Sequence, residues 1–283
     1  MNINRIMVVG AGQMGGGIAQ AAAAAGLQVM LHDIEYARAV RGMEQIRATL
    51  GREAEKGYRS REEAQAILDR ITPTAVLGDA AGSELVIEAV SEDAGVKAEL
   101  FRRLDAICAE TAVLASNTSS LSITRLAGAT KRPERVIGMH FMNPVAVMPL
   151  VEVIPGLATS EETTALIVSL AERLQKSPIV ARDFPGFVSN RVLMPMINEA
   201  VFCLYEGVAS REAIDSIMTL GMRHPMGPLK LADLIGLDTC LSILNVLHQE
   251  FGDSKYRPCP LLRQYVRAGW LGRKTGRGFY SYE

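Results

Sequence analysis

The sequence has no cysteine pair at the spacing of a metal knuckle or a redox motif. Its four cysteines, Cys108, Cys203, Cys240 and Cys259, are scattered without a CxxC, so no metal site and no disulfide framework is expected and the thiols read as reduced. Charge of one sign is lacking as well. A formal net charge of -1 removes the electrostatic case for nucleic acid or an anionic membrane as partner. No apolar run free of Gly, Pro and charge reaches about 18 residues, so no transmembrane helix is expected. The first strand-like run begins within the first handful of residues, which leaves no room for a signal or transit peptide, and the expected compartment is the cytoplasm. What remains, 283 residues with 48% hydrophobic and 22% charged side chains, is the make-up of a folded chain with one large or two ordinary domains.

One stretch organises the rest. Residues 5–33 read RIMVVGAGQMGGGIAQAAAAAGLQVMLHD: apolar strand, glycine turn, alanine-rich helix, second apolar strand, acidic residue. Gly10, Gly12 and Gly15 hold GxGxxG spacing directly after the strand at residues 6–9, which is the dinucleotide fingerprint in its required context. Gly10 allows the tight turn, Gly12 lets a pyrophosphate approach the backbone of Ala11, Gln13 and Met14, and Gly15 lets the helix lie close on the sheet. The helix N-terminus then faces the phosphates. Asp33 lies 18 residues past Gly15, where a carboxylate accepts from ribose hydroxyls and repels a 2′-phosphate, so NAD is the expected cofactor. Gly16 and Gly17 read either as close-packing positions or as tolerated variation.

Residues 36–70 are polar and rich in helix formers, too long for one crossover helix, and read as a helical hairpin inserted between strands. Strand-like runs follow at residues 75–77, 85–90, 113–116, 136–141, 151–154 and 179–181, with helices at 97–108 and 161–174 between some of them, the alternation of a doubly wound, mostly parallel Rossmann-type α/β sheet. After the turn DFPG at residues 183–186 the pattern becomes all-helical, with helices expected at 187–205, 210–220, 228–250 and 261–268. The expected division is a dinucleotide-binding domain over residues 1–184 and a helical domain over 185–283.

His140 ends the strand VIGMHF on the carboxyl edge, where ligands of open sheets bind. Glu152 lies 12 residues on, inside the apolar strand LVEVI, where a charge is costly unless paired. The inferred pair is Glu152 with His140: the carboxylate fixes the tautomer, and the other ring nitrogen trades a proton with a substrate hydroxyl. The competing reading is a satisfied core histidine. Ser116, Asn117, Thr118, Ser119 and Ser120 follow another strand end and either make a turn and helix cap or hold a substrate oxygen and the nicotinamide ribose. Glu88 and Glu92, in VIEAVSED, either line the cofactor cleft or are helix-start charges. Asn190, in PGFVSNR, opens the helical domain.

At these residues the chain resembles the short-chain 3-hydroxyacyl-CoA dehydrogenases. The resemblance runs nearly end to end through GAGQMGGGIAQ, VIEAVSED, SNTSSLSIT, GMHFMNPV with LVEVI, PGFVSNR, HPMGPLKLADLIGLD and YVRAGWLGRKTGRGFYSY. It implies an oxidoreductase that interconverts (S)-3-hydroxyacyl-CoA and 3-ketoacyl-CoA with NAD. Its catalytic pair falls on His140 and Glu152, with Ser119 and Asn190 as partners of the substrate oxygen. Cofactor contacts fall on the glycine turn, Asp33, Glu92, Lys97, Asn117, Ser119, Asn143 and Lys274, and coenzyme A contacts on Ser119, Thr49 and Lys56. The family also implies a homodimer through the C-terminal helices. Two positions depart from it: Pro149 stands where the family often has a basic residue, and Gly95 interrupts the helix that carries Lys97. The alternatives are a dehydrogenase of free hydroxy acids or sugar acids, and a dinucleotide-binding protein without catalysis.

Overall fold

The computed structural model describes residues 3–282. The chain divides into two compact units, Met1–Asp183 and Phe184–Glu283, each with its own apolar core.

In the first unit, β1 (Arg5–Val9), α1 (Gln13–Ala24), β2 (Gln28–His32), the hairpin α2 (Tyr36–Glu55) and α3 (Arg61–Leu68), and β3 (Ile71–Thr74) come first. Then follow β4 (Leu85–Glu88), α4 (Ala94–Ile107), β5 (Val113–Ser116), α5 (Ile123–Ala127), β6 (Val136–Phe141), β7 (Leu150–Pro155), α6 (Glu161–Arg173) and β8 (Ser177–Val180). The strands form one sheet in the order β3-β2-β1-β4-β5-β6-β7-β8. From β3 to β6 neighbours are parallel; β7 runs antiparallel to β6, and β8 parallel to β7. The chain winds outward from β1 to β3 and returns to β4 beside β1, so the carboxyl ends of β1 and β4 flank the switch point where such sheets take ligands. Burial of β4, β5 and β6 throughout, and of β1 after Arg5, follows from helices covering both faces of a parallel sheet.

The hairpin expected over residues 36–70 is present as α2 and α3. Ser60 caps α3 with a full capping box, its hydroxyl accepting from Glu63 N while Glu63 accepts from Ser60 N, the reciprocal satisfaction of two orphan donors. One strand expectation fails. Residues 75–77 are not a strand; β3 lies just upstream at Ile71–Thr74. Pro73 argues against a strand in sequence, yet β3 is the sheet's edge, where the missing N–H faces no partner.

The second unit contains α7 (Ser189–Tyr205), α8 (Arg211–Ser216), α9 (Pro228–Ile235), α10 (Leu237–Phe251) and α11 (Pro260–Arg267). The single helix expected over 228–250 is two helices, because Gly236 adopts a φ of 103°, which ends α9 and sends α10 off at 97°. The stretch expected to be helical to residue 220 changes after Ser216 into a π-turn, Ile217–Gly221. No single helix among the described residues is long and apolar enough to cross a membrane. Two buried carboxylates hold the C-terminal segment in place. Asp233 accepts from Phe279 N, Tyr280 N and the Tyr282 hydroxyl, each at 2.9 Å. Asp215 accepts from Leu229 N (2.9 Å), Lys230 N (3.1 Å) and the Tyr280 hydroxyl (2.9 Å). A Cβ on Gly278 would lie 1.9 Å from Asp233 Oδ1, so this clasp requires glycine there.

Candidate active site

The glycine turn is built as its spacing requires. Gly10 has φ 106° and its N–H donates to His32 O at 2.8 Å, tying the turn to the end of β2. A Cβ on Gly15 would sit 1.7 Å from Gly10 O, whereas nothing lies within 4 Å of one on Gly12. The turn is therefore closed on the protein side and open where a ligand's phosphates would approach. No side chain caps α1 and no acidic residue stands in its first turn, so the amides and the positive helix end are left for an anion. Asp33 is aimed by two backbone donors, Ala11 N and Ile34 N, each at 2.9 Å. These features fit a dinucleotide with unphosphorylated ribose. Arg38, the nearby cation that could favour a 2′-phosphate, is paired with Glu35 at 3.0 Å.

Gly17 is a close-packing position and Gly16 is not: a Cβ on Gly17 would meet Val145 Cβ at 2.9 Å, while one on Gly16 would make ordinary contact with Ile46 at 3.8 Å. Gly42, in α2, escaped the sequence reading. A Cβ there would lie 2.6 Å from Ala11 O, so the hairpin presses on the back of the glycine turn. A lone glycine inside a helical stretch was the available signal.

At the ends of β4 and β5 the second set of expected residues forms one network. Lys97 is 1% exposed; its ammonium meets Glu88 Oε1 at 2.5 Å, Glu92 Oε2 at 3.2 Å and Val90 O at 3.3 Å. Gly95 does not disrupt this, because it lies in the first turn of α4, behind the cap in which Asp93 accepts from Val96 N at 2.8 Å. Glu92 Oε1 accepts from the Thr118 hydroxyl, from Ser119 N at 2.9 Å and from Ser120 N at 3.2 Å. Burial opposes the charge on Glu92, but Lys97, Thr118 and Ser119 together outweigh it and hold its pKa below the ordinary carboxylate value. Asn117 Oδ1 accepts from Phe141 N at 2.9 Å, linking this turn to the end of β6.

His140 and Glu152 stand opposite each other in the antiparallel β6–β7 register, with Nδ1 2.8 Å from Oε2 and exposures of 5% and 3%. Two residues past β6, Asn143 Oδ1 accepts from Gln13 Nε2 at 3.1 Å, so the loop after the histidine reaches the glycine turn. The Asn143–Pro144 peptide is cis. Lys176 holds this loop by donating to Val145 O (2.5 Å) and Met148 O (3.0 Å). Asp183, read from the sequence only as part of a linker turn, accepts from the Ser122 hydroxyl, Ile123 N and Thr124 N at 2.9, 3.0 and 2.7 Å, fixing the start of α5. Neither role has a local sequence signal, since both partners are distant in the chain.

The remaining expected residues lie elsewhere in the fold. Thr49 lies in the last two turns of α2, its hydroxyl donating to Gln45 O at 2.9 Å, and Lys56, seven residues on, is that helix's exposed C-cap. In the second unit Asn190 is buried in the first turn of α7, and Lys274 pairs with Asp238 at 2.6 Å.

A histidine held by a carboxylate, on the same sheet edge as a turn shaped for a pyrophosphate, is the working arrangement of a nicotinamide-dependent dehydrogenase. Residues 5–184 match the family described as 3-hydroxyacyl-CoA dehydrogenase, NAD binding domain, and residues 186–282 its C-terminal domain. The chain belongs to the 3-hydroxyacyl-CoA dehydrogenase family, and its cofactor is NAD. It is 60% identical over 283 residues to the probable 3-hydroxybutyryl-CoA dehydrogenase of Bacillus subtilis, covering 100% of this chain and 99% of that one. Identity to the 3-hydroxybutyryl-CoA dehydrogenase of Bradyrhizobium diazoefficiens is 54%, over 99% of this chain and 96% of the other. The solved (S)-3-hydroxybutyryl-CoA dehydrogenase of Ralstonia eutropha superposes with a TM-score of 0.96 at 48% identity, covering 100% of both chains.

Proposed function

We propose that this protein interconverts (S)-3-hydroxybutyryl-CoA and acetoacetyl-CoA with NAD(H). The observation that carries the reading is the buried His140–Glu152 pair on the carboxyl edge of the sheet, at 2.8 Å, in a chain so close to named 3-hydroxybutyryl-CoA dehydrogenases. With Nδ1 engaged by Glu152, proton exchange with the substrate falls to Nε2: His140 takes the hydroxyl proton in oxidation and returns it to the carbonyl oxygen in reduction. NAD(H), when bound, would supply the hydride acceptor for oxidation of the carbinol carbon and the hydride donor for the reverse reaction. Glu152, at 2.8 Å from Nδ1, holds the ring in one orientation. Ser119 and Asn190 donate to the substrate oxygen as its charge develops. Asp33, Glu92, Lys97, Asn117, Asn143 and Lys274, with residues 10–15, hold the cofactor, and Thr49 and Lys56 contact coenzyme A.

Exposed apolar side chains along the helices of the second unit, Val192 and Leu220 at 67% and 84% exposure among them, support a homodimer through that unit. The four cysteines are free thiols, which supports a reducing cytoplasm as the compartment.

The test is catalytic efficiency with NADH for acetoacetate, acetoacetyl-CoA and longer 3-ketoacyl-CoA esters at one pH. A pocket made for long chains gains about 0.8 kcal/mol per buried methylene; this one should peak at acetoacetyl-CoA. Binding energy from coenzyme A orients the acyl group, so free acetoacetate should lose turnover as well as affinity. A maximum at long chains would reject the short-chain reading, and efficient use of free acetoacetate would replace it with a hydroxy-acid dehydrogenase.

A further inference from the structure

We propose that Glu88 is a positioning residue for the reaction: it sets the turn at residues 116–120 and, through that turn, the place of Ser119. The inference rests on the reading of Ser119 as a partner of the substrate oxygen.

Glu88 is the last residue of β4, in the middle of the sheet between Val9 of β1 and Ser116 of β5, and its exposure is 0%. A carboxylate there is expensive, and two of its side-chain partners, Lys97 and Ser116, lead on to the turn at residues 116–120. Oε1 takes the Lys97 ammonium at 2.5 Å and Val90 N at 2.7 Å; Oε2 takes the Ser116 hydroxyl at 2.6 Å. Two routes run from these contacts to the same turn. Along the first, Ser116 Oγ accepts from Thr118 N at 3.2 Å, and the Glu88 carbonyl accepts from Asn117 N at 2.8 Å. Along the second, Lys97 holds Glu92 Oε2 at 3.2 Å while Glu92 Oε1 accepts from Ser119 N at 2.9 Å. The turn that carries Ser119 is thereby held from both ends by groups that converge on one buried carboxylate.

Stability is a poor account of such a network, because a buried ion pair is often matched or bettered by apolar side chains of the same volume. A role in geometry explains it. Loss of the carboxylate lets the Ser119 hydroxyl wander, and a displacement on the order of 1 Å by a residue away from the chemistry can cost about 100-fold in rate.

Measure kcat, KM and thermal unfolding for the full-length wild type, Glu88→Gln, Ser116→Ala, Ser119→Ala and the double variants Glu88→Gln/Ser119→Ala and Ser116→Ala/Ser119→Ala. Glu88→Gln should lower kcat about 10- to 100-fold in protein that is fully folded at the assay temperature, with a smaller change in KM for acetoacetyl-CoA. Ser116→Ala, the milder change, should act in the same direction if Glu88→Gln fails to fold. Each double variant should lose little beyond Ser119→Ala alone, because both changes act through the same hydroxyl. Wild-type kcat in folded Glu88→Gln, or losses that multiply in full with that of Ser119→Ala, would overturn the inference. If Ser119→Ala itself keeps wild-type kcat, the role given to Ser119 fails, and the positioning role of Glu88 fails with it.

Discussion

Glu152 meets His140 across the β6–β7 pair with Oε2 2.8 Å from Nδ1, both side chains buried. The antiparallel β7 makes this contact: turning back beside β6, it brings residue 152 into register with residue 140, whereas a parallel strand would need a crossover of a dozen residues or more. Replacing the carboxylate by an amide keeps the shape and removes the charge. Glu152→Gln should therefore lower kcat on the order of 100-fold with NADH affinity nearly unchanged, as read by steady-state kinetics and NADH fluorescence titration. Wild-type kcat in the variant would remove Glu152 from the mechanism.

The glycine turn gives opposite expectations for two substitutions. Gly12→Ala adds a methyl group into open space, so thermal stability should stay within about 1 kcal/mol of wild type while NADH affinity falls. Gly15→Ala drives a Cβ to within 1.7 Å of Gly10 O and should reduce stability and affinity together. Thermal unfolding and NADH titration on both variants separate the two effects. Unchanged NADH affinity in Gly12→Ala would refute the phosphate assignment of the turn.

Asp33, held by Ala11 N and Ile34 N, should make NADH the better cofactor by at least about tenfold over NADPH, the equivalent of about 1.4 kcal/mol. Asp33→Ala should narrow that ratio by raising KM for NADH. Kinetics with both cofactors check this, and equal efficiency in the wild type would contradict it.

Glu92 predicts an acid-side dependence of stability. Burial raises its pKa, but Lys97, Thr118 and Ser119 bring the net value below the ordinary 4.5. A carboxyl depressed in the folded state adds stability above its unfolded pKa, and that addition disappears as pH falls through the lower folded value. In thermal melts between about pH 6 and pH 3, the stability advantage of wild type over Glu92→Gln should hold down to about pH 4.5 and shrink below it. A constant difference across that range would refute the linkage.

The parts legible in the sequence were those whose signal is local. Continuous apolar runs at residues 113–116 and 136–141 coincide with β5 and β6, and the glycines at positions 10, 12 and 15 sit where their spacing requires. A charge inside the apolar strand LVEVI sufficed to propose the partner of His140. Other features depend on contacts between distant segments. Pro73 concealed β3 because its tolerance there comes from the edge position. Gly236 reads as an ordinary helix residue until its φ of 103° is seen. Asp215 and Asp233 clasp a segment more than 40 residues downstream, and nothing near them in the chain announces it. Glu88 was visible as a candidate, but its partnership with Lys97 and Ser116 required the sheet.

The most direct test is NADH oxidation by acetoacetyl-CoA with wild type and His140→Gln, read at 340 nm, together with NADH binding by both proteins. The wild type should turn over readily, while His140→Gln should bind NADH as well as wild type does and lose a factor on the order of 100 to 10,000 in kcat, the range for losing a positioned general acid. Near-wild-type turnover in His140→Gln, or none in the wild type, would contradict the account.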